Sequence, residues 1–210
     1  GDQFSASIAV TASTIVVAAP VKDIGGIHAQ GAAYVFERHG GSWVETQKLT
    51  ASDGSVFDFF GKAVAVSGST LVVSSGDDVG GNIDQGAAYV FERHGGSWVE
   101  TQKLTASDGS AADEFGLSVA VSGSTIVVGA TFDDIGSNGN QGSVYVFERQ
   151  DGSWVETQKL TASDAAANDF FFGISVAVSG STIVVGASFD SMGGNHFQGA
   201  VYVFDRQEES

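Results

Sequence analysis

The sequence predicts an all-β fold, a propeller of four blades, and three observations carry that expectation. Phe4, Phe60, Phe115 and Phe172 open four copies of one unit, spaced 56, 55 and 57 residues apart. Each copy runs through an alternating stretch, a β-branched run, a loop rich in Gly, Asp and Asn, and an aromatic stretch. Glycine is frequent at 29 residues and proline rare at 1, as suits short strands joined by tight turns. Strands recurring at such a period, four to a unit, are the sequence signature of propeller blades. The chain therefore reads as one propeller domain, 1–210, with repeats at about 1–57, 58–112, 113–168 and 169–210.

Copy 2 justifies each element in order. Residues 62–67 alternate, with Ala63 and Ala65 on one face and Val64 and Val66 on the other. Period-2 alternation marks a strand, and its small residues suit a crowded place near a central axis. Ser67-Gly68-Ser69 is a tight hairpin turn, where Gly takes positive φ without steric cost. The run 70–74 is apolar on both faces, as expected of a strand buried between neighbouring blades. A loop at 76–85 leads into a third strand, 86–93; a hairpin at His94-Gly95-Gly96-Ser97 leads into a fourth, 98–104. That fourth strand is the most polar and belongs at the outer edge. Residues 105–109 cross to the next blade.

Copies 1 to 3 carry the outer strand, marked by Trp43, Trp98 and Trp154, whereas copy 4 ends shortly after its Tyr202 stretch. Fifteen strands are expected where sixteen would complete four blades, so the last blade lacks its outer strand. Only three residues precede Phe4, too few to supply it. An uncovered apolar edge recruits another strand, so self-association or a further strand completing blade 4 is expected.

Composition narrows the partners. A net charge of −16 disfavours nucleic acid and anionic membrane, both of which call for a basic face. There is no cysteine, hence neither a disulfide nor a thiolate metal site. No apolar run approaches the roughly 20 residues of a membrane span, so no membrane insertion is expected. Gly1-Asp2-Gln3 leads directly into the first repeat, the start expected of a mature or trimmed chain.

Phe60-Gly61, Phe115-Gly116 and Phe172-Gly173 are each followed about twelve residues later by Val-Val-Gly-Ala or a variant. This pattern resembles the FG-GAP repeats of integrin α-subunit propellers and of many bacterial and algal surface proteins. Copy 1 departs from it, with Phe4-Ser5 and with Ala18-Ala19-Pro20 at the second signature. The resemblance implies a propeller and an extracellular or cell-surface role in adhesion or ligand binding. Integrin-type propellers have seven blades, so this length allows a four-bladed ring or part of a larger assembly.

FG-GAP repeats of the integrin type often hold Ca²⁺ in the loop after the second strand. Calcium takes six to eight oxygen ligands, with glycine permitting the sharp turn. The aligned loops read Lys22-Asp23-Ile24-Gly25, Asp77-Asp78-Val79-Gly80, Asp133-Asp134-Ile135-Gly136 and Asp190-Ser191-Met192-Gly193. Copies 2 and 3 keep two acidic residues plus two further oxygen donors, making Asp77, Asp78, Asn82 and Asp84, with Asp133, Asp134, Asn138 and Asn140, the candidate Ca²⁺ ligands. An apolar residue stands where the integrin-like spacing has its third acid. The competing reading is that these side chains cap turns through bonds to the backbone. The same two readings apply to Asp53 with Asp58, Asp108 with Asp113, and Asp164 with Asp169.

No constellation for catalysis emerges. His39 and His94 sit in equivalent Gly-Gly hairpins, and His28 and His196 share a loop position in copies 1 and 4, adjacent if the ring closes. No nucleophile elbow or zinc-binding helix is present, and carboxylates that recur in every copy belong to the scaffold rather than to one active site. Aromatics that break the repeat, namely Phe57, Phe59, Phe132, Phe170, Phe171, Phe189 and Phe197, are the better binding candidates. The sequence thus reads as a non-enzymatic adhesion or assembly module binding protein or glycan at a cell surface. A propeller lectin is the first alternative and an enzyme on this scaffold the second.

Overall fold

The computed structural model describes residues 1–164, 171–189 and 198–205. Among them, fifteen strands form four antiparallel sheets. Blade 1 holds β1 (Ile8–Val10), β2 (Thr14–Ala19), β3 (Ala32–His39) and β4 (Ser42–Leu49). Blade 2 holds β5 (Val64–Ser67), β6 (Thr70–Ser75), β7 (Ala87–His94) and β8 (Ser97–Leu104). Blade 3 holds β9 (Phe115–Ser122), β10 (Thr125–Ala130), β11 (Ser143–Gln150) and β12 (Ser153–Leu160). Blade 4 holds β13 (Phe172–Ser179), β14 (Thr182–Ala187) and β15 (Ala200–Asp205), without an outer strand among the described residues. Each sheet is a meander in chain order, as the hairpin signals predict.

The blades mate in one direction. The face of blade 2 that carries Phe60, Leu71, Tyr89, Phe91 and Trp98 packs onto Val16, Ala33, Val35 and Leu49 of blade 1. Blade 3 presents Phe115, Ile126, Tyr145, Phe147 and Trp154 to Val72, Ala88, Val90 and Leu104 of blade 2. Blade 4 presents Phe172, Ile183, Tyr202 and Phe204 to Val127, Val144, Val146 and Leu160 of blade 3. Every sheet therefore has an aromatic face and an aliphatic face, and in blades 2 to 4 the aromatic face enters the aliphatic face of the blade before it. The second strands β6 and β10 are buried along their whole length, as their continuous apolar runs imply.

Polar ties repeat at each junction. The Gln47 side chain donates to the Trp98 carbonyl (2.7 Å) and accepts from the Trp98 amide (2.8 Å). Gln102 grips Trp154 in the same way, at 2.6 and 2.8 Å. Arg93 bridges to Glu37 at 2.8 Å, and Arg149 to Glu92. The Phe60, Phe115 and Phe172 amides donate across the junction to the carbonyls of Gln30, Gln85 and Gln141, at 2.9, 2.8 and 3.0 Å. The glycine after each of these glutamines lies directly on that phenylalanine backbone, so a Cβ at Gly31, Gly86 or Gly142 would overlap it.

The three apolar clusters join blades 1–2, 2–3 and 3–4; among the described residues none joins blade 4 to blade 1. Phe4 is 55% exposed where Phe60, Phe115 and Phe172 are at most 1% exposed, and Trp43 is 40% exposed where Trp98 is 2%. At the other end Val201 and Val203 are 68% and 63% exposed. The first and last blades thus keep one face each in solvent. His196, the expected neighbour of His28 on closure, lies outside the described residues, as do Asp169, Phe170, Asp190, Ser191, Met192, Gly193 and Phe197.

Candidate functional site

Two equivalent acidic clefts occupy the loop ends of blades 2 and 3. The first, about 360 Å³, is lined by Asp53, Asp58, Asp77, Asp78, Asp84 and Lys103, among others. The second, about 420 Å³, is lined by Asp108, Asp113, Asp133, Asp134, Asn140 and Lys159. The fold thus brings both acidic patterns of the sequence into one place: the crossing segment from the preceding blade supplies Asp53 and Asp58, and the loop after the second strand supplies Asp77 and Asp78. Asn82 and Asn138 do not line the clefts. The Asn82 amide donates instead to Gln85 Oε1 (2.9 Å) and the Gly109 carbonyl (3.2 Å).

A lysine sits at the floor of each cleft. Lys103 Nζ lies 2.7 Å from Asp53 and 2.5 Å from Asp77, and Lys159 Nζ lies 2.7 Å from both Asp108 and Asp133. The Tyr89 hydroxyl donates to Asp53 (2.6 Å) and contacts Asp77, which also receives the Ser75 hydroxyl. Tyr145 donates to Asp108 (2.6 Å) and Asp133 (3.1 Å), with Ser143 on Asp133. Burial disfavours the Lys103 ammonium, but its bonds to Asp53 and Asp77 outweigh that and raise its pKa above the usual lysine value. Burial likewise opposes ionisation of Asp53, and the bonds from Lys103 and Tyr89 overcome it, lowering its pKa. Asp108 and Lys159 repeat both shifts. Asp58 and Asp113, which accept from the Ser55 and Ser110 amides, are pushed upward by burial.

The outer carboxylates shape the loop itself. Val79 and Asn82 exchange two backbone bonds (3.1 and 2.9 Å) around Gly80-Gly81, and Ile135 with Asn138 repeats the turn. The apolar residue at the third-ligand position is therefore a rung of a miniature hairpin. Asp78 accepts from the Asp84 amide (2.9 Å), Asp134 from the Asn140 amide (2.8 Å) and Asp23 from the Ala29 amide (2.8 Å). These are the turn-capping bonds of the competing sequence reading.

The arrangement does not fit a calcium ion. Calcium needs six to eight oxygens converging at ~2.3–2.6 Å. Here an ammonium group already bridges the two innermost carboxylates of each cleft, and hydroxyl groups donate to the same carboxylates. Among the described residues no group of three or more His, Asp or Glu side chains gathers to hold a metal. Sequence patterning alone does not single out Lys103, Lys159, Tyr89 and Tyr145. The signal was present in the recurring Gln-Lys-Leu at 47–49, 102–104 and 158–160 and in Tyr34, Tyr89, Tyr145 and Tyr202.

The repeat-breaking aromatics gather beside the clefts. His28 and Phe57 meet edge to face at 5.1 Å, and Phe57 lies 6.0 Å from Phe59. Phe171 meets Phe132 and Phe189, each at 5.1 Å. Phe57, Phe59 and Phe171 have positive φ, and so do Gln3, Ala112 and Glu114 at the equivalent positions of other copies. The backbone turn is thus common to the scaffold, and it does not require an aromatic side chain. His39 and His94 are exposed on their hairpins, as expected.

A model of the FG-GAP repeat matches the chain three times, over residues 43–91, 98–147 and 154–204. Each match begins in the outer strand of one blade and ends in the third strand of the next, so the matched unit spans a blade junction. No curated protein matches the chain. Among solved structures, the crystallised N-terminal domain of Nup159 is similar at 13% identity and a TM-score of 0.43. That match covers 95% of this chain and 55% of the other, so the chain spans about half the length of that structure.

Proposed function

Because the chain belongs to the FG-GAP repeat family, we propose that it is a non-catalytic module that works outside the cell, attaching its bearer to a protein or glycan. The family is typical of extracellular proteins and generally non-catalytic, and no described helix is long and apolar enough to cross a membrane. The observation that carries the reading is the aromatic rim. Phe57 is 54% and Phe189 43% exposed, and the backbone turn that carries Phe57 accepts Ala112 in the next copy. Aromatic side chains that the scaffold does not need, held in contact with one another at a loop face, form a stacking surface for a sugar ring or an apolar side chain. The acidic clefts are scaffold in this reading: their lysine-bridged carboxylates clamp one blade to the crossing segment before it.

The test is binding of the labelled chain to a glycan array and to a panel of immobilised extracellular proteins. Phe57→Ala with Phe189→Ala should abolish the signal while leaving the melting temperature within about 2 °C of the parent. Undiminished binding by that variant would sink the rim as the binding surface.

A further inference from the structure

The two solvent-facing ends of the blade array are the halves of a junction that the molecule already makes three times. Blade 1 carries the aromatic set Phe4, Tyr34, Phe36 and Trp43 at the positions of Phe60, Tyr89, Phe91 and Trp98. The set is already assembled: Phe4 and Tyr34 meet at 5.5 Å, as do Phe60 and Tyr89. Blade 4 carries Val184, Gly186, Val201 and Val203 at the positions of Val16, Ala18, Ala33 and Val35. Those residues of blade 1 are buried under blade 2, whereas Val201 and Val203 are exposed.

Charge follows the same register. Glu37 and Glu92 each receive the arginine of the next blade, and the equivalent position in blade 4 is the exposed Asp205. Arg38, equivalent to Arg93 and Arg149, is exposed and has no carboxylate partner among the described residues.

We propose that the blade 4 face of one chain receives the blade 1 face of a second copy. The contact is head to tail, so it either closes a ring or propagates. Two copies closing on each other would make eight blades, within the four to eight usual for propellers. Among the described residues blade 4 has no outer strand and so no counterpart of Leu49, Leu104 and Leu160. The contact is therefore smaller than an internal junction, and association depends on concentration.

Sedimentation of the chain over a concentration series at 0.15 M salt tests this. The expected result is a reversible two-copy species. Val201→Asp with Val203→Asp blocks the blade 4 face, and Val10→Asp with Trp43→Ser blocks the blade 1 face. All four positions are exposed, and circular dichroism and melting verify folding. Each blocked chain alone should be monomeric, and the two mixed should form a 1:1 pair through their remaining faces. As a second measurement, Arg38→Glu and Asp205→Arg should each weaken association about tenfold, and together restore most of it. A parent chain that stays monomeric at every concentration overturns the proposal and leaves the faces to a partner of another kind. So does a mixture that fails to pair, or a blade-1-blocked chain that still dimerises, which would indicate pairing of β15 edges. None of these outcomes bears on the aromatic rim, whose binding is read separately.

Discussion

Trp98 and Trp43 are the same residue in the same place of their repeats, and only the neighbouring blade distinguishes them. Trp98 is buried by blade 1 and lies beneath the Arg93 guanidinium, 6.0 Å from its ring centre, whereas Trp43 is 40% exposed and no described blade packs on it. Trp98→Ala should cost about 3–5 kcal/mol by chemical denaturation, and Trp43→Ala about 1–2 kcal/mol. Equal losses would show that the junction is not what buries the tryptophan. The clefts give a pH signature. Asp53 and Asp108 have lowered folded pKa values, so the stability they confer is full above their ordinary 3.8 and fades as pH falls through the folded values. Lys103 and Lys159 have raised ones, so theirs is full below the ordinary 10.5 and fades as pH rises through the folded values. Asp58 and Asp113, raised by burial, act oppositely: folding loses support as pH climbs from 3.8 through their folded values. Lys103→Met should flatten the alkaline limb of the melting profile and lower the neutral plateau. An unaltered alkaline limb would mean that the ion pairs contribute nothing. Since the lysines stand among the innermost carboxylates, millimolar Ca²⁺ added to chelator-treated protein should leave the melting temperature unchanged; a rise of several degrees would show a ligand set that this geometry does not present.

At the scale of elements, the strands were legible because their signals are local. Alternation in residues 62–67, the Gly-Gly hairpins and the apolar run of β6 each depend on neighbours a few residues away. The clefts were only half legible. Both acidic patterns were visible, but their convergence on Lys103 links Asp53 to a residue fifty positions later, across a blade boundary. No local pattern reports that distance, and a lysine on a polar outer strand reads as solvent-exposed. The exposure of Trp43 was illegible for a related reason, because exposure is a property of what packs on a residue and not of the residue itself. Glycine shows the same division. Gly80 and Gly86 both have positive φ, 61° and 88°, but Gly80 faces open space while Gly86 lies on the Phe115 backbone. Gly80→Ala should cost about 1 kcal/mol and Gly86→Ala at least about 2 kcal/mol, because only the second forces two blades apart. Comparable losses in denaturant titrations would remove the distinction.

For the whole molecule, stability is close to a sum over blades and junctions. Blades 2 and 3 are covered on both faces, blades 1 and 4 on one. Amide exchange should therefore be slowest in β6 and β10 and faster in β2 and β14, although the paired strands have closely similar sequences. Uniform protection across the four second strands would imply that the outer faces are already covered. Four blades were legible because period and strand count are written into the chain. Whether the end blades meet was not, since a repeat specifies how each unit greets the next and says nothing about how many units complete a turn.

A junction with distinct giving and receiving sides also bears on how such chains change in length. Duplicating or deleting one period of about 56 residues, wherever the break falls, restores the same sequence of faces. The newcomer finds an aliphatic face ahead of it and offers one behind. The number of internal junctions would change by one, while the two terminal surfaces would remain chemically what they were. A whole repeat gained or lost in this architecture would therefore alter the number of blades and leave the chemistry of each junction untouched.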